Sequence, residues 1–161
     1  SGPPGSGKKW LAEELAALVL GANATEVATH PDFHQIAPES KSRRILIAQM
    51  RDLEHSLHMK PLLGSNKIAV IQDADRLQPE AANAFLKTLE EPPSHTRLIL
   101  TARDANLLLP TIASRCQVVA LRPLAPAQIE GNVVGRMGRA DVRPSLVSAL
   151  ASKAGRKATR T

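Results

Sequence analysis

Apolar residues recur along much of the chain at the spacing of one helix face. Leu11, Leu15 and Leu18 follow one another at intervals of four and three residues, which predicts a helix over Lys8–Leu20. The same kind of spacing predicts further helices over residues 42–57, from Pro79 to the Pro92-Pro93 pair, and over residues 105–114. Pro79 suits the first turn of its helix, where a missing N–H has no cost.

Short apolar runs separate these helices. Lys67–Ile71 reads KIAVI, and an unbroken apolar run of this length is typical of a strand buried on both faces of a parallel sheet. Residues 32–36, 97–101 and 117–121 are predicted as further strands. Strands that alternate with helices predict an α/β fold, with a parallel sheet flanked by helices.

The pattern changes after Pro123. Two helical stretches follow, at about residues 126–137 and 144–154, and no strand lies between them. The predicted organisation is therefore an α/β domain over residues 1–122 and a small helical lid over residues 123–161. The segment PLAP at residues 123–126 is the predicted hinge.

Composition narrows the classes of protein. The chain has 161 residues, of which 43% are apolar, so it is long and apolar enough to bury a core. No apolar run approaches the roughly 18 residues of a membrane span, so no membrane association is expected. Cys116 is the single cysteine, which excludes an internal disulfide and a cysteine-rich zinc site. A reducing, cytoplasmic location is the expectation.

The net charge of +6 is concentrated near one end of the chain. Residues 136–161 carry seven basic side chains against Asp141, whereas residues 1–135 hold fourteen of each sign. Aromatic residues that could stack on bases are few. Two interpretations of the basic segment stay open: a solvated helix face, or a patch that contacts phosphates.

A glycine-rich segment at the start matches the phosphate-loop pattern G-x-x-x-x-G-K. Its residues are Gly2, Pro3, Pro4, Gly5, Ser6, Gly7 and Lys8. Glycines let the backbone aim N–H groups at phosphates, and the helix that follows adds its positive end. The next position should be Ser or Thr for Mg²⁺, but it is Lys9, which cannot ligate a metal. No strand leads into the loop, so the natural protein is expected to extend further upstream.

The second acidic motif of such enzymes is also altered. It should follow a buried strand with an Asp that holds Mg²⁺ and a Glu that polarises water, but Gln72 and Asp73 stand there. Together with Lys9, these changes predict that ATP or ADP binds weakly or not at all, that Mg²⁺ is poorly held, and that hydrolysis is inefficient.

Three longer segments resemble one protein family. KIAVIQDADRLQPEAANAFLKTLEEPP at residues 67–93 and LLPTIASRCQ at residues 108–117 resemble the AAA+ clamp-loader subunits of replicative DNA polymerases. HPDFHQIAPESKSRRILIAQM at residues 30–50 is most similar to the delta-prime group of bacterial DNA polymerase III. The resemblance implies a nucleotide-binding domain, a helical lid and, further on, a helical collar.

The resemblance also implies roles for single residues. Arg115, in the triplet Ser-Arg-Cys, would reach ATP bound by a neighbouring subunit; without the resemblance it could equally be an arginine that ends a helix. The sensor position falls at residues 101–103, where Thr101 is the candidate and its loss to Ala102 the alternative. The four-cysteine zinc module of many relatives is absent, so no zinc is predicted. The pairs His30/His34 and His55/His58 lack further ligands, so no other metal site is predicted either.

The implied function is a non-motor, stator-like subunit of a clamp loader. Its partners would be gamma/tau and delta-like subunits and, through the complex, the sliding clamp and primer-template DNA. Two alternatives remain: an active gamma/tau-like ATPase motor, and a DNA-binding AAA+ module that uses the basic segment.

Overall fold

The computed structural model describes residues 1–39 and 43–122, in which helices and strands alternate. In chain order the elements are α1 (Lys8–Leu20), β1 (Phe33–Ile36), α2 (Ile47–His58), β2 (Lys67–Ile71), α3 (Pro79–Glu90), β3 (Thr96–Leu100) and α4 (Pro110–Ala113). Short 3₁₀ turns at Val27–Thr29, Ala74–Arg76 and Ala105–Leu107 connect some of them. The predicted α/β alternation is confirmed.

The three strands form one parallel sheet in the order β1-β2-β3. Phe33 pairs with Ile68 on one side of the central strand, and Lys67 pairs with Thr96 on the other. Every residue of β2 is buried, as the KIAVI run predicts for a strand covered on both faces. The parallel sheet is therefore confirmed.

Two apolar cores lie on opposite faces of the sheet. Ile68 and Val70 of β2 pack with α1, while Ala69 and Ile71 pack with α2 and α3. The second core includes Phe85, one of the largest fully buried side chains in the described residues. Burying a large apolar side chain contributes about 1.5–3 kcal/mol, so both layers of helices are held to the sheet mainly by this contact.

Helix α1 has the predicted bounds but buries a different face. Leu18 is 57% exposed, whereas Ala12, Ala16 and Ala17 are buried with Leu15. Small side chains let this helix approach the sheet closely, and Leu18 falls outside the contact. The leucine spacing therefore identifies the helix but not its packed face.

Helix α2 starts later than residue 42. Ile45 forms an isolated parallel bridge with Leu77, and its N–H donates to the Arg76 carbonyl oxygen at 3.0 Å. The Gln49 side chain then accepts from the Leu46 N–H at 3.0 Å and caps the helix that begins at Ile47. The N–H groups of residues 45 and 46 thus bond outside the helical ladder, whereas the Leu46 carbonyl accepts its first bond, from the Met50 N–H at 3.3 Å.

Two predictions at the end of the described region need correction. The helix expected over residues 105–114 is a 3₁₀ turn followed by α4, because Pro110 opens a new helix and holds Leu109 extended. The strand expected over residues 117–121 is not present as a strand. Its backbone nevertheless meets Ser1: the Ser1 amino group donates to the Val119 carbonyl at 2.6 Å, and the Leu121 N–H donates to the Ser1 carbonyl at 2.7 Å.

The predicted hinge at residues 123–126, the helices at 126–137 and 144–154, and hence the lid, lie outside the described residues. The domain boundary at residue 122 stays a prediction. Within the described ranges, no helix combines the length and the apolar character that crossing a bilayer requires.

Candidate functional site

The phosphate-loop segment lies at the carboxyl edge of the parallel sheet. The Gly2 N–H donates to the carbonyl of Ala102, just beyond β3, at 3.0 Å. Gln72 and Asp73 follow β2 directly and therefore share this edge. Ligands of open α/β sheets bind at the carboxyl ends of the strands, so the structure brings the two altered motifs together where such a site is expected.

Three glycines shape the loop. Gly5 and Gly7 have φ values of 79° and 75°, in the left-handed region that glycine adopts without cost. A Cβ on Gly2 would lie 2.8 Å from the Leu121 carbonyl oxygen and 2.8 Å from Ser6 Oγ, so no side chain fits there. Helix α1 begins directly after Gly7, and its first N–H groups have no partner within the helix. The backbone is thus arranged as a cradle that can accept an anion.

The Lys8 side chain lies against the loop itself. Its Nζ donates to the carbonyl oxygens of Gly2 at 2.6 Å and of Pro3 at 2.8 Å. An ammonium has three donors, so one remains for a further acceptor. A phosphate bound here would either use this donor or replace one of the two carbonyls.

Two buried polar atoms at this edge lack hydrogen-bond partners in the described residues: Ser6 Oγ and Gln72 Nε2. An unpaired buried polar atom costs about 1–3 kcal/mol, so such atoms usually meet a ligand or water. Ser6 belongs to the glycine cradle and Gln72 follows β2 at the same edge, which fits a polar ligand there. The amide at Gln72 is neutral, however, and offers a metal less than a carboxylate does.

Lys9 does not contribute to the loop. Its ammonium lies 3.8 Å from Glu13, one turn further along α1, and the side chain is mostly exposed. The position therefore supplies neither the hydroxyl that Mg²⁺ needs nor a charge directed into the cradle.

Thr101 ties the end of β3 to the second acidic motif. Its Oγ1 accepts the Asp73 N–H at 3.2 Å, and its backbone bonds to Ile71 and Ala74 at 2.9 and 2.7 Å. Asp73 has a φ of 48°, a left-handed conformation that Asp tolerates better than most residues. The predicted sensor residue is thus beside Asp73, and its hydroxyl accepts a backbone hydrogen bond.

A second interaction across this edge, an ion pair with two hydrogen bonds, was not predicted from the sequence. The buried Asp75 carboxylate accepts Arg103 Nε at 3.2 Å and the Arg103 N–H at 3.1 Å. The two residues are 28 positions apart, so no local spacing signals the pair.

Arg115 lies away from these motifs, after α4. Its Nε donates to Glu90 Oε1 at 2.6 Å, and its Nη2 also contacts that carboxylate. Its Nη1 donates to the Thr111 carbonyl at 2.9 Å and to Ser114 Oγ at 3.2 Å. All these contacts are with α3 or with the segment around α4. The structure therefore does not join Arg115 to Lys8 or Gln72, and Glu90 is a partner that sequence reasoning did not find. Cys116, the next residue, is half-buried.

The opposite edge of the sheet holds a buried charged cluster. The Asp32 carboxylate accepts the N–H groups of Leu62 and Leu63, each at 2.7 Å. Burial alone would raise the pKa of Asp32, but these two bonds, with nearby positive charge, lower it below its usual value. Burial first, and then the Lys67 ammonium, lower the pKa of His34, while Asp32 acts in the opposite direction.

No metal-binding cluster is formed by the described residues: no three or more His, Cys, Asp or Glu side chains converge. His30 uses its Nδ1 to accept the Asp32 N–H at 3.1 Å. The predicted absence of zinc and of other metals stays a prediction.

Comparison with known proteins identifies the relatives of this chain. The family described as "DNA polymerase III, delta subunit" matches residues 1–125. A DNA polymerase III subunit delta' from Pseudomonas aeruginosa is 36% identical over 144 residues, covering 80% of this chain and 44% of the relative. A DNA polymerase III subunit tau/gamma from Haemophilus influenzae is 31% identical over 140 residues, covering 80% of this chain and 20% of the relative.

A solved structure agrees with these relatives. A DNA polymerase III gamma subunit-related protein from Thermotoga maritima superposes with a TM-score of 0.56 at 32% identity, covering 72% of this chain and 40% of that one. The fold is that of AAA+ proteins. The chain spans less than half the length of these relatives.

Proposed function

This chain belongs to the DNA polymerase III delta-subunit family, and from that premise we propose that it is a non-motor subunit of the clamp loader. In this proposal its own ATP site is degenerate, and Arg115 acts on nucleotide held by a neighbour. The proposal of a degenerate ATP site is supported by one observation: the glycine loop keeps its backbone cradle, but the side chains that would hold Mg²⁺ are replaced.

The loop and Lys8 would bind the phosphates of ATP or ADP, and Ser6 is a further donor beside them. The nucleotide supplies an anionic phosphate chain, and the residues of this chain provide N–H groups and one ammonium. Lys9 pairs with Glu13, and Gln72 is neutral, so Asp73 alone would offer a carboxylate to Mg²⁺. Nucleotide binding is therefore weak and nearly independent of Mg²⁺, and hydrolysis is inefficient.

Arg115 supports the second part by its chemistry and location. A guanidinium stabilises the charge that develops on a transferred phosphoryl group. The Arg115 side chain is 34% exposed, and among the described residues its hydrogen bonds and ion pair go to α3 and the segment around α4, so a second subunit can approach it. The proposed partners are gamma/tau and delta-like subunits, with the sliding clamp and primer-template DNA reached through the complex.

An active motor subunit is the second candidate, because a tau/gamma relative matches 80% of this chain. Lys9 and Gln72 argue against it, since both remove a metal ligand. A DNA-binding role for the basic segment would rest on residues 136–161, which lie outside the described part of the chain.

ATP turnover by the full-length protein separates the candidates. Alone, it should hydrolyse ATP negligibly, and its nucleotide affinity should change little when Mg²⁺ is removed. Restoring the ligands with Lys9→Thr and Gln72→Asp should make the affinity Mg²⁺-dependent. Rapid turnover by the unaltered protein alone would show that it is a motor.

The role of Arg115 needs the assembled complex. Arg115→Ala should slow hydrolysis at the neighbouring site by about a hundredfold or more while nucleotide still binds there. Arg51→Ala, which removes an exposed arginine of α2, is the matched control and should change nothing. If Arg115→Ala behaves like the control, the trans role is wrong.

A further inference from the structure

The Arg115 guanidinium is nearly saturated by its own chain. Of its five N–H donors, the one on Nε bonds to Glu90 Oε1 and the two on Nη1 bond to the Thr111 carbonyl and Ser114 Oγ, while Nη2 makes an ion-pair contact with the same Glu90 oxygen. Among the described residues, Nη2 is the nitrogen whose donors make no hydrogen bond. A phosphate could therefore meet this side chain through Nη2 unless another contact is given up.

Glu90 contacts the edge of the guanidinium, formed by Nε and Nη2, through which an arginine commonly binds a phosphate. The Nε–H and the adjacent Nη2–H form the fork that binds two oxygens of an anion at once. Both nitrogens of this fork now meet one oxygen of the carboxylate at the end of α3, Glu90 Oε1: Nε through a hydrogen bond and Nη2 through an ion-pair contact. The contacts of Nη1 with Thr111 and Ser114 lie on the other side, and they can persist while the fork changes partner.

We propose that Glu90 is a positioning residue that restrains Arg115 until a neighbour's nucleotide displaces it. The proposal rests on the trans role of Arg115 proposed above. A phosphate chain carries several negative charges, whereas Glu90 carries one, so a phosphate can displace Glu90 while Glu90 still competes with it for the guanidinium. The Glu90 side chain is 47% exposed, and exposed ion pairs are weak enough to exchange readily.

This arrangement links hydrolysis to assembly. In a separate subunit the guanidinium stays folded against α3. In the complex, contact with the phosphates must first break the bond to Glu90, which lowers the fraction of time that Arg115 is engaged. Removing the charge of Glu90 should therefore raise the turnover of the complex about two- to fivefold, the range over which a weak ion pair shifts a two-state population.

The test uses the complete complex with Glu90→Gln, which keeps the shape and removes the charge. Glu91→Gln is the matched control, because Glu91 is the next residue, is exposed, and makes no side-chain contact with Arg115 among those that the structure describes. We expect Glu90→Gln to raise kcat two- to fivefold with KM unchanged, and the control to change neither. Adding Arg115→Ala should abolish the gain.

The outcomes separate the two proposals. If Arg115→Ala alone leaves turnover unchanged, the trans role fails and the restraint fails with it. If Arg115→Ala slows turnover but Glu90→Gln does not raise it, only the restraint is overturned, and a loss would mean that Glu90 orients Arg115 productively. A gain that survives in the double variant would also overturn it, since it would not act through Arg115.

A second measurement does not depend on turnover. In the isolated full-length subunit, the Arg115 Nε–H should exchange slowly with solvent because it is bonded to Glu90. Glu90→Gln should speed that exchange by NMR, and Glu91→Gln should not. Equal exchange rates in all three proteins would contradict the restraint.

Discussion

Two buried threonines at opposite ends of β3 should respond differently to the same substitution. Thr101 is 8% exposed, and its Oγ1 accepts the Asp73 N–H at 3.2 Å. Thr96 is 1% exposed, and its Oγ1 has no hydrogen-bond partner in the described structure. Valine has nearly the shape of threonine, so each change replaces one hydroxyl by a methyl group and little else.

Thr101→Val should lower the free energy of unfolding by about 1–2 kcal/mol, because the Asp73 N–H loses its acceptor while it stays partly buried. Thr96→Val should be neutral, or stabilising by up to about 1 kcal/mol, because it removes a buried hydroxyl that has no hydrogen-bond partner among the described residues. The two values should therefore differ by about 1–3 kcal/mol.

Urea unfolding followed by circular dichroism measures both variants, and equal m-values are the condition for comparing their midpoints. The same samples can be tested for nucleotide affinity. If the Thr101 hydroxyl only accepts the Asp73 N–H and does not contact nucleotide, nucleotide affinity should change little in Thr101→Val. Equal stability of the two variants would refute the assignment of the hydrogen bond.

Three further changes test the cluster at the opposite edge of the sheet and the loop glycines. Asp32→Asn should lower the free energy of unfolding by about 2–3 kcal/mol at neutral pH, since one of the two N–H groups of Leu62 and Leu63 then faces an NH₂ donor. Because the pKa of Asp32 is lowered, the carboxylate stabilises the fold above about pH 4, and the stability difference between wild type and variant should close as pH falls further. The pKa of His34 is lowered, so its neutral form favours folding, and wild-type stability should decline as pH falls below about 6.5. Stability of His34→Gln, measured by unfolding from pH 7 to 5, should decline less; an identical profile would exclude His34 as the source of the decline. Gly5→Ala should cost about 1–2 kcal/mol in thermal unfolding, the cost of a left-handed conformation for alanine, since its Cβ would meet no atom within 4 Å.

Local chemistry explains why much of the fold is predictable. Four consecutive apolar residues, at positions 68–71, are typical of a strand covered on both faces, and β2 is such a strand. Helix α1 ends where predicted because Gly7 and Gly21 take left-handed conformations at its two ends. Leu18 shows the limit of this reasoning: the leucine spacing predicts a helix, but the buried side chains of α1 are mainly alanines, and Leu18 is exposed.

The candidate site, like the fold, was predictable from the sequence only in part. The phosphate loop is predictable, since its glycines act within a few residues of one another. The Arg115–Glu90 and Arg103–Asp75 pairs are not, because their members lie 25 and 28 residues apart and meet only after the sheet has formed. The predicted strand over residues 117–121 is wrong: in the described structure this segment bonds to Ser1, 118 residues before Val119, and does not join the three-stranded sheet.

Gly2 shows why an intact glycine loop does not by itself establish nucleotide binding. A Cβ there would lie 2.8 Å from the Leu121 carbonyl oxygen, and the Gly2 N–H is bonded to Ala102, so the residue is needed for packing whether or not a phosphate binds. Gly2→Ala should therefore destabilise the fold by about 1–3 kcal/mol through overpacking. Gly5 has no such packing role, since a Cβ there would meet no atom within 4 Å; its left-handed φ is needed for the backbone path of the loop. Nucleotide affinity lost in Gly5→Ala, measured where the variant is still folded, would thus report on the cradle itself. If both variants lose stability but Gly5→Ala keeps its affinity for nucleotide, the loop is retained as a structural part of the sheet edge.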